Sequence, residues 1–256
     1  ERVPLEKYPR VSVVVCSYNG GKTLGDCLKA LDHIDYPDYE IVFVDDGSTD
    51  NTQEIVAAWN KAREGRLIGW KNRPDFQNIR QRNMGLSSAR NTGAGAATGE
   101  VVAYTDSDCM ADPDWLYYLI GTLISGDYAG VGGPNISPPA QNWIQACVAA
   151  APGGPSHVLL TDVVAEHIPG CNMAFHRWAF DAVGGFDPEY RKAGDDVDFC
   201  WRLQQSSQVI AFSPAAIVWH YRRFTIGAFR KQQEGYGEAE SMLRFKHLIF
   251  FGPTGT

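Results

Sequence analysis

Along the first 110 residues the apolar positions gather into three nearly continuous runs, each broken off by a polar cluster. Val11 to Cys16 ends in Ser17-Tyr18-Asn19-Gly20-Gly21, after which Leu24, Cys27, Leu28 and Leu31 recur at helical spacing. Tyr39 to Val44 ends in Asp45-Asp46-Gly47-Ser48-Thr49-Asp50, where Thr49 or Asp50 would cap a helix carrying Ile55, Ala58, Trp59 and Ala62. A helix of small residues, Gly85 to Ala97, then leads into Val101 to Thr105, which ends in Asp106-Ser107-Asp108. Runs that are apolar throughout, rather than alternating, are those of parallel strands covered on both faces. Their alternation with helices predicts a parallel sheet with right-handed crossovers. Lys71 to Gln81 is polar, mixes both charges and has no period, which predicts a surface loop.

Beyond Asp108 the pattern loosens. Pro113 sits in the first turn of a helix whose face is Trp115, Leu116, Leu119, Ile120 and Leu123. The stretch from 130 to 195 is irregular, apart from a strand within Ile168 to Phe175. A helix through Phe199, Trp201 and Leu203 follows the acidic cluster Gly194-Asp195-Asp196-Val197-Asp198. Val209 to Phe212 and Ala216 to Trp219 are expected as short strands, and Thr225 to Phe251 is helical in period.

Composition narrows the class. A chain of 256 residues with 44% hydrophobic content is long enough for one mixed α/β domain. A net charge of −7, with no run of Lys or Arg, argues against nucleic acid or an anionic membrane as the main partner. The six cysteines include no Cys-x-x-Cys pair and several lie in apolar runs, so reduced core thiols and a cytosolic setting are expected. No stretch reaches the ~18 to 20 apolar residues of a membrane-spanning helix. The start without Met and the stop just after Leu248-Ile249-Phe250-Phe251 suggest a piece of a longer protein, so contact with the inner face of the cell membrane is expected only through other parts of it.

In open α/β sheets ligands bind outside the carboxyl ends of the strands. All three polar clusters fall there: Ser17, Tyr18 and Asn19; Asp45 and Asp46; Asp106, Ser107 and Asp108. Tyr18 could stack on a base or simply cover the sheet edge. Asp45 or Asp46 could accept a base N–H or a ribose hydroxyl, or form the turn before a capped helix. A diphosphate beside these acids requires a divalent cation, which Asp108 is suited to hold. Arg90 supplies a fixed positive charge for phosphate or for a carboxylate.

These motifs together resemble the family 2 glycosyltransferases, inverting enzymes of the GT-A fold that use nucleotide-diphosphate sugars. The resemblance covers residues 10 to 225. It rests on Val-Ser-Val-Val-Val-Cys-Ser-Tyr-Asn from Val11, Val-Asp-Asp-Gly-Ser-Thr-Asp from Val44, Ala-Arg-Asn-Thr-Gly from Ala89, Thr-Asp-Ser-Asp from Thr105, Gly-Cys-Asn-Met-Ala-Phe from Gly170, and Gly-Asp-Asp-Val-Asp-Phe-Cys-Trp-Arg from Gly194. It implies a single α/β domain, GT-A and Rossmann-like, with a mixed, mainly parallel sheet flanked by helices. Residues 10–110 would form the nucleotide-binding half and 111–225 the acceptor half, with 226–256 as a helical tail. It also implies that Asp46 and the loop from Cys16 to Tyr18 contact a uracil base, that Asp108 ligates Mn²⁺ or Mg²⁺, that His220 completes the metal site, and that Asp196 is the catalytic base. Where the family usually reads Glu-Asp, this chain has Asp195-Asp196. The acceptor would be a glycan, lipid-linked or other hydroxyl.

Other classes fit less well. A haloacid-dehalogenase phosphohydrolase needs Asp-x-Asp after its first such strand, and Phe43-Val44-Asp45-Asp46 lacks it. A sugar nucleotidyltransferase needs a longer Gly-rich phosphate loop than Gly20-Gly21-Lys22. An inactive nucleotide-sugar-binding or scaffolding module would not need Asp108, Asp196 and His220 intact.

Overall fold

A computed structural model describes residues 2–64 and 74–251, so Lys71, Asn72 and Arg73 of the expected loop lie outside the described residues. Its strands are β1 (Val11–Ser17), β2 (Tyr39–Asp45), β3 (Asp75–Arg80), β4 (Val101–Asp106), β5 (Cys109–Ala111), β6 (Gly130–Gly132), β7 (Asn135–Ile136), β8 (Val158–Leu159), β9 (Val164–His167), β10 (Met173–His176), β11 (Ile210–Phe212) and β12 (Val218–His220). The helices are α1 (Leu24–Asp32), α2 (Thr52–Glu64), α3 (Leu86–Ala96), α4 (Trp115–Leu123), α5 (Trp143–Ala150), α6 (Arg177–Ala182), α7 (Asp195–Gln205) and α8 (Ile226–Lys246).

Nine strands form one sheet in the order β3-β2-β1-β4-β10-β6-β11-β9-β8, and β5-β12-β7 form a small second sheet. The first four strands are parallel, as the nearly unbroken apolar runs of β1, β2 and β4 predict, and every residue of β1 and β2 is buried. From β4 onward the sheet is mixed, because β10 runs antiparallel to both β4 and β6. Successive β1 side chains divide between two cores. Val11, Val13 and Val15 pack with Leu28, Trp115 and Leu119, while Val14 and Cys16 pack with Ala89, Phe175 and Phe199. A Cβ on Gly93 would lie 2.3 Å from Val14 Cγ1, so glycine is what lets α3 sit this close to the sheet.

The chain winds outward from β1 through β2 to β3, then returns to place β4 on the other side of β1. That reversal makes the gap between β1 and β4 the topological switch point, where parallel α/β sheets hold ligands. Register aligns the strand ends, with Ser17 opposite Asp45 and Cys16 opposite Asp106, so the three polar clusters share one edge.

Two expectations from the pattern need correction. Asp75 to Arg80 is not a loop but the parallel edge strand β3. It has no fully buried residue and only two core-facing apolar side chains, Phe76 and Ile79, one on each face, which is too few to register as a strand pattern. The stretch from 130 to 195 is not irregular either: it carries β6 to β10, α5 and α6, elements of two to eight residues that are too short for periodicity to register. The tail is helical as expected, and it is tied back to the body. His247 Nε2 lies 2.8 Å from Asp198 Oδ1, and Phe250 stacks on Trp201 with ring centroids 4.5 Å apart. Among the described residues no helix is long and apolar enough to cross a membrane.

Candidate active site

The loops after β1 and β2 form one hydrogen-bonded unit at the switch point. Asn19, in the left-handed region at φ 54°, donates its N–H to Ser48 Oγ, and its amide oxygen accepts from the backbone N–H groups of Thr49 and Asp50. Asp45 is fully buried and accepts from Ser48 N and Gln53 Nε2. Asn19 and Asp45, both expected to touch a nucleotide, therefore spend their side chains on shaping this edge. Cys16 is also turned into the core, and burial pushes its thiol well up.

Asp46 accepts from Gln81 Nε2 and Met84 N at Oδ1 and from Gly85 N at Oδ2. A carboxylate has about four lone-pair positions, so one stays available. Tyr18 is 55% exposed. Ser17 Oγ is buried with no hydrogen-bond partner, and a Cβ on Gly20 would meet both it and Ser107 Oγ, so glycine is what leaves room beside the two hydroxyls. An orphaned buried hydroxyl at a strand end is a polar position that a ligand can satisfy.

Arg90 reaches the site from α3, but as a strut. Its Nη1 lies 2.5 Å from Asp195 Oδ2 and its Nη2 donates to Asp106 Oδ1 at 3.2 Å. Of the two partners expected for Arg90, phosphate or a carboxylate, the fold supplies two carboxylates, which joins the end of β4 to the start of α7. The carboxylate contact of Asp106 likewise faces Arg90. Burial pushes Asp195 up to about 6 against the pull of Arg90. Gly170 passes so close to the guanidinium that a Cβ there would sit 2.4 Å from Arg90 Nη2. The Gly170 N–H donates to Asp196 Oδ2 at 2.7 Å, and Val197 N donates to Asp196 Oδ1. Asp196 is partly exposed, whereas Asp198 is buried against Arg202 and His247.

The pairing of β5 with β12 sets His220 directly across from Cys109, and hence beside Asp108. His220 Nε2 lies 3.4 Å from Asp108 Oδ1, while Arg223 Nη1 donates to Asp108 Oδ2 at 3.2 Å. Burial alone would raise Asp108 and lower His220, but their mutual charge dominates and holds them near about 2 and about 10. On its other side His220 presents Nδ1 to Cys171 Sγ at 3.9 Å and to Arg222 Nη1 at 3.3 Å. Donor atoms on one cation with bonds of about 2.1 Å lie about 3 Å apart when adjacent. The Asp108 and His220 atoms therefore need to close by only a few tenths of an ångström, and this oxygen–nitrogen pair fits a divalent cation.

Sequence reasoning assigned no role to Gly170, Cys171, Asn172, Asp195 or Arg223. The Gly-Cys-Asn segment was visible only as a motif. In the fold Asn172 is fully buried, accepts from Trp115 Nε1, and donates to Pro134 O and Ala216 O, which fixes the loop that bears Gly170.

Comparison with known proteins agrees with this geometry. The family model described as glycosyl transferase family 2 matches residues 12–184. A poly-beta-1,6-N-acetyl-D-glucosamine synthase of Staphylococcus epidermidis is 27% identical over 243 residues, which is 91% of this chain and 56% of that protein. A probable glycosyltransferase YdaM of Bacillus subtilis is 25% identical over 98% of this chain and 60% of that protein. The chain thus spans little more than half the length of these relatives. Among solved structures, the mannosyltransferase PcManGT from Pyrobaculum calidifontis in complex with GDP-Man and Mn²⁺ superposes with a TM-score of 0.69 at 22% identity, over 93% of this chain and 66% of that one. S. aureus TarS 1–349 with UDP-GlcNAc gives 0.64 at 18% identity, over 92% and 66%. The structural likenesses show the fold, the family match covers well over half of the sequence, and the chain belongs to glycosyl transferase family 2 with a GT-A fold.

Proposed function

We propose that this domain transfers a sugar from a nucleotide-diphosphate donor, preferably a UDP-sugar, to a hydroxyl of a glycan or lipid-linked acceptor, with inversion at the anomeric carbon. The observation that carries the reading is the pairing of Asp108 with His220 at 3.4 Å at the end of β4, with Asp196 joined to the same edge through Gly170 and the Arg90 strut. The ligands in the two similar solved structures, GDP-Man with Mn²⁺ and UDP-GlcNAc, support a nucleotide-sugar donor and a divalent cation.

Asp108 and His220 would hold Mn²⁺ or Mg²⁺, which when bound neutralises charge on the departing diphosphate. Tyr18 would cover the base. The remaining acceptor position of Asp46 would take the imide N–H of uracil, a contact cytosine cannot make, and an unmatched buried acceptor costs ~1 to 3 kcal/mol. Ser17 and Ser107 offer hydroxyls to the ribose or phosphate side. Asp196, steered by the Gly170 N–H, would take the proton of the attacking hydroxyl.

The test is calorimetry of UDP with and without Mn²⁺, joined to NMR of the product anomer. Asp108→Ala should abolish the Mn²⁺-dependent part of binding. Asp196→Asn should keep donor affinity and lower transfer by ~100-fold or more. Unchanged Mn²⁺ dependence in Asp108→Ala, full transfer by Asp196→Asn, or a product of retained configuration would overturn the reading.

A further inference from the structure

Behind the Asp108 face lies a cluster whose two thiols the transfer reaction does not use. One ligand atom each from Cys109, Cys171 and His220 lie within 4.8 Å of one another, and all three residues are buried. The fold creates this grouping twice over. The β5–β12 register sets Cys109 opposite His220, and the Gly170-Cys171-Asn172 loop, fixed by Asn172, delivers Cys171 to the other edge of the imidazole. The remaining thiols have no such company among the described residues: Cys16, Cys27 and Cys200 are buried in the two cores, and Cys147 is exposed on α5.

We propose that Cys109, Cys171 and His220 Nδ1 form a binding site for a thiophilic divalent cation of the Zn²⁺ and Cd²⁺ type, and that its occupation removes His220 from the face it shares with Asp108. Two sulfurs and one imidazole nitrogen are a donor set that soft cations prefer and that Mn²⁺ and Mg²⁺ do not. Zinc bonds of about 2.3 Å to sulfur and about 2.0 Å to nitrogen put tetrahedral donors roughly 3.4 to 3.8 Å apart, so the cluster contracts by about 1.4 Å at most. The fourth position would be left to water. Binding releases the protons of both thiols, and any proton on Nδ1, to solvent.

The antagonism follows from the imidazole itself. A neutral ring has one lone pair on nitrogen. With the proton on Nδ1 directed at Cys171, an arrangement in which Arg222 Nη1 gives up its 3.3 Å contact with Nδ1, Nε2 is available toward Asp108. With a cation on Nδ1, the proton must sit on Nε2, where it donates to Asp108 and blocks the shared position. The cation site rests on the cluster alone, while the antagonism rests on the reading of His220 given above.

The experiment uses the whole chain with Cys147→Ser, which removes the exposed thiol, and titrates it with Cd²⁺ alone. The expected result is an ultraviolet thiolate-to-cadmium charge-transfer band that saturates at one ion per chain, with affinity at least ~10-fold weaker in Cys109→Ser and in Cys171→Ser. Should either variant not fold, mass spectrometry of alkylated peptides answers the same question in the unsubstituted thiols: Cd²⁺ should protect Cys109 and Cys171 from alkylation and leave Cys16, Cys27 and Cys200 unchanged. Absence of the band, a band that survives both serine variants, or equal alkylation with and without Cd²⁺ would overturn the site. Binding of UDP is then measured with Mn²⁺, before and after saturation with Zn²⁺. A weaker Mn²⁺-dependent component in the parent but not in Cys109→Ser supports the antagonism, and equal loss in both refutes it. Absence of Mn²⁺ dependence without Zn²⁺ counts against the proposed function instead and leaves the Cd²⁺ result standing.

Discussion

Arg90→Met should be among the most damaging single changes outside the aromatic core. The methionine fills much of the arginine's space but leaves Asp195, which is 1% exposed, facing no charge where Nη1 stood 2.5 Å away. It also frees Asp106 from its 3.2 Å contact. Removing one partner of a buried ion pair costs ~3 to 5 kcal/mol because the other charge stays uncompensated. At ~2 to 4 °C per kcal/mol for a domain of this size, the melting temperature should fall by about 6 to 20 °C. The loss has a ceiling, since an unpaired buried carboxyl protonates rather than stay charged. Burial already pushes Asp195 up to about 6 with Arg90 present, and without it the group moves higher still. A folded-state value above that of the unfolded chain favours the fold at low pH and loses that advantage as pH rises through it. The variant should therefore lose more relative to the parent near pH ~8 than near pH ~5. The double change Arg90→Met with Asp195→Leu removes both charges and should recover most of the loss. Calorimetric melting of the parent, both single variants and the double variant closes the cycle. A shift below ~2 °C for Arg90→Met, or a double variant as unstable as the two single losses added, would refute the strut.

Three further outcomes are expected. Tyr18→Ala removes a ring that is 55% exposed, so it should leave the melting temperature nearly unchanged while weakening nucleotide binding by ~1 to 3 kcal/mol, the usual worth of base stacking on an aromatic side chain; calorimetry showing equal affinity would rule out stacking there. On α3, Gly93→Ala drives a methyl to 2.3 Å from Val14 and should cost ~1 to 3 kcal/mol in urea unfolding, whereas Gly95→Ala meets nothing within 4 Å and should gain ~0.5 to 1 kcal/mol from helix propensity. Similar signs for the two would mean that α3 is not seated as described. Glu40 accepts from Ser12 Oγ, Thr98 N, Thr98 Oγ1 and Gln77 Nε2, and these bonds outweigh burial and lower its pKa. A lowered carboxylate contributes stability that is present above the usual glutamate value and is lost as pH falls through the folded one. Glu40→Gln should therefore trail the parent near neutral pH, with the gap closing below pH ~4. A gap of constant size across that range would contradict it.

Much of the fold could be read directly from the chain. Three strands that are almost continuously apolar must be covered on both faces, and residues that alternate with them at helical spacing supply the cover. The same arithmetic located the polar clusters, because a parallel strand that stops at Ser17, Asp45 or Asp106 stops at the edge where its neighbours do. β3 escaped notice because an edge strand is only partly covered, and its two core-facing residues, Phe76 and Ile79, are too few to make a pattern. The short strands between Gly130 and His176 are specified by partners distant in sequence: β6 lies between β10 and β11, and nothing in Gly130-Val131-Gly132 announces either.

Residue types at the candidate site were legible for similar local reasons, but their duties were not. A motif with several acids states that carboxylates are present without stating which donors will meet them. Asp45 and Asn19 turn inward to bind the loops, while Asp46 keeps one acceptor position and Tyr18 stays exposed, a division set by which backbone N–H groups happen to lie nearby. Arg90 became a strut because α3 carries it between β4 and α7, which are separated by some ninety residues of sequence. The Asp108–His220 pair depends on antiparallel pairing of β5 and β12 across more than a hundred residues, and the same register gathers Cys109 and Cys171 behind it. Hydrophobic periodicity is a local property that a chain can display on its own, whereas the partner of a buried charge or thiol exists only after distant strands have paired, and that is why the sequence determined the sheet and its ligand-facing edge while tertiary structure decided what each side chain does there.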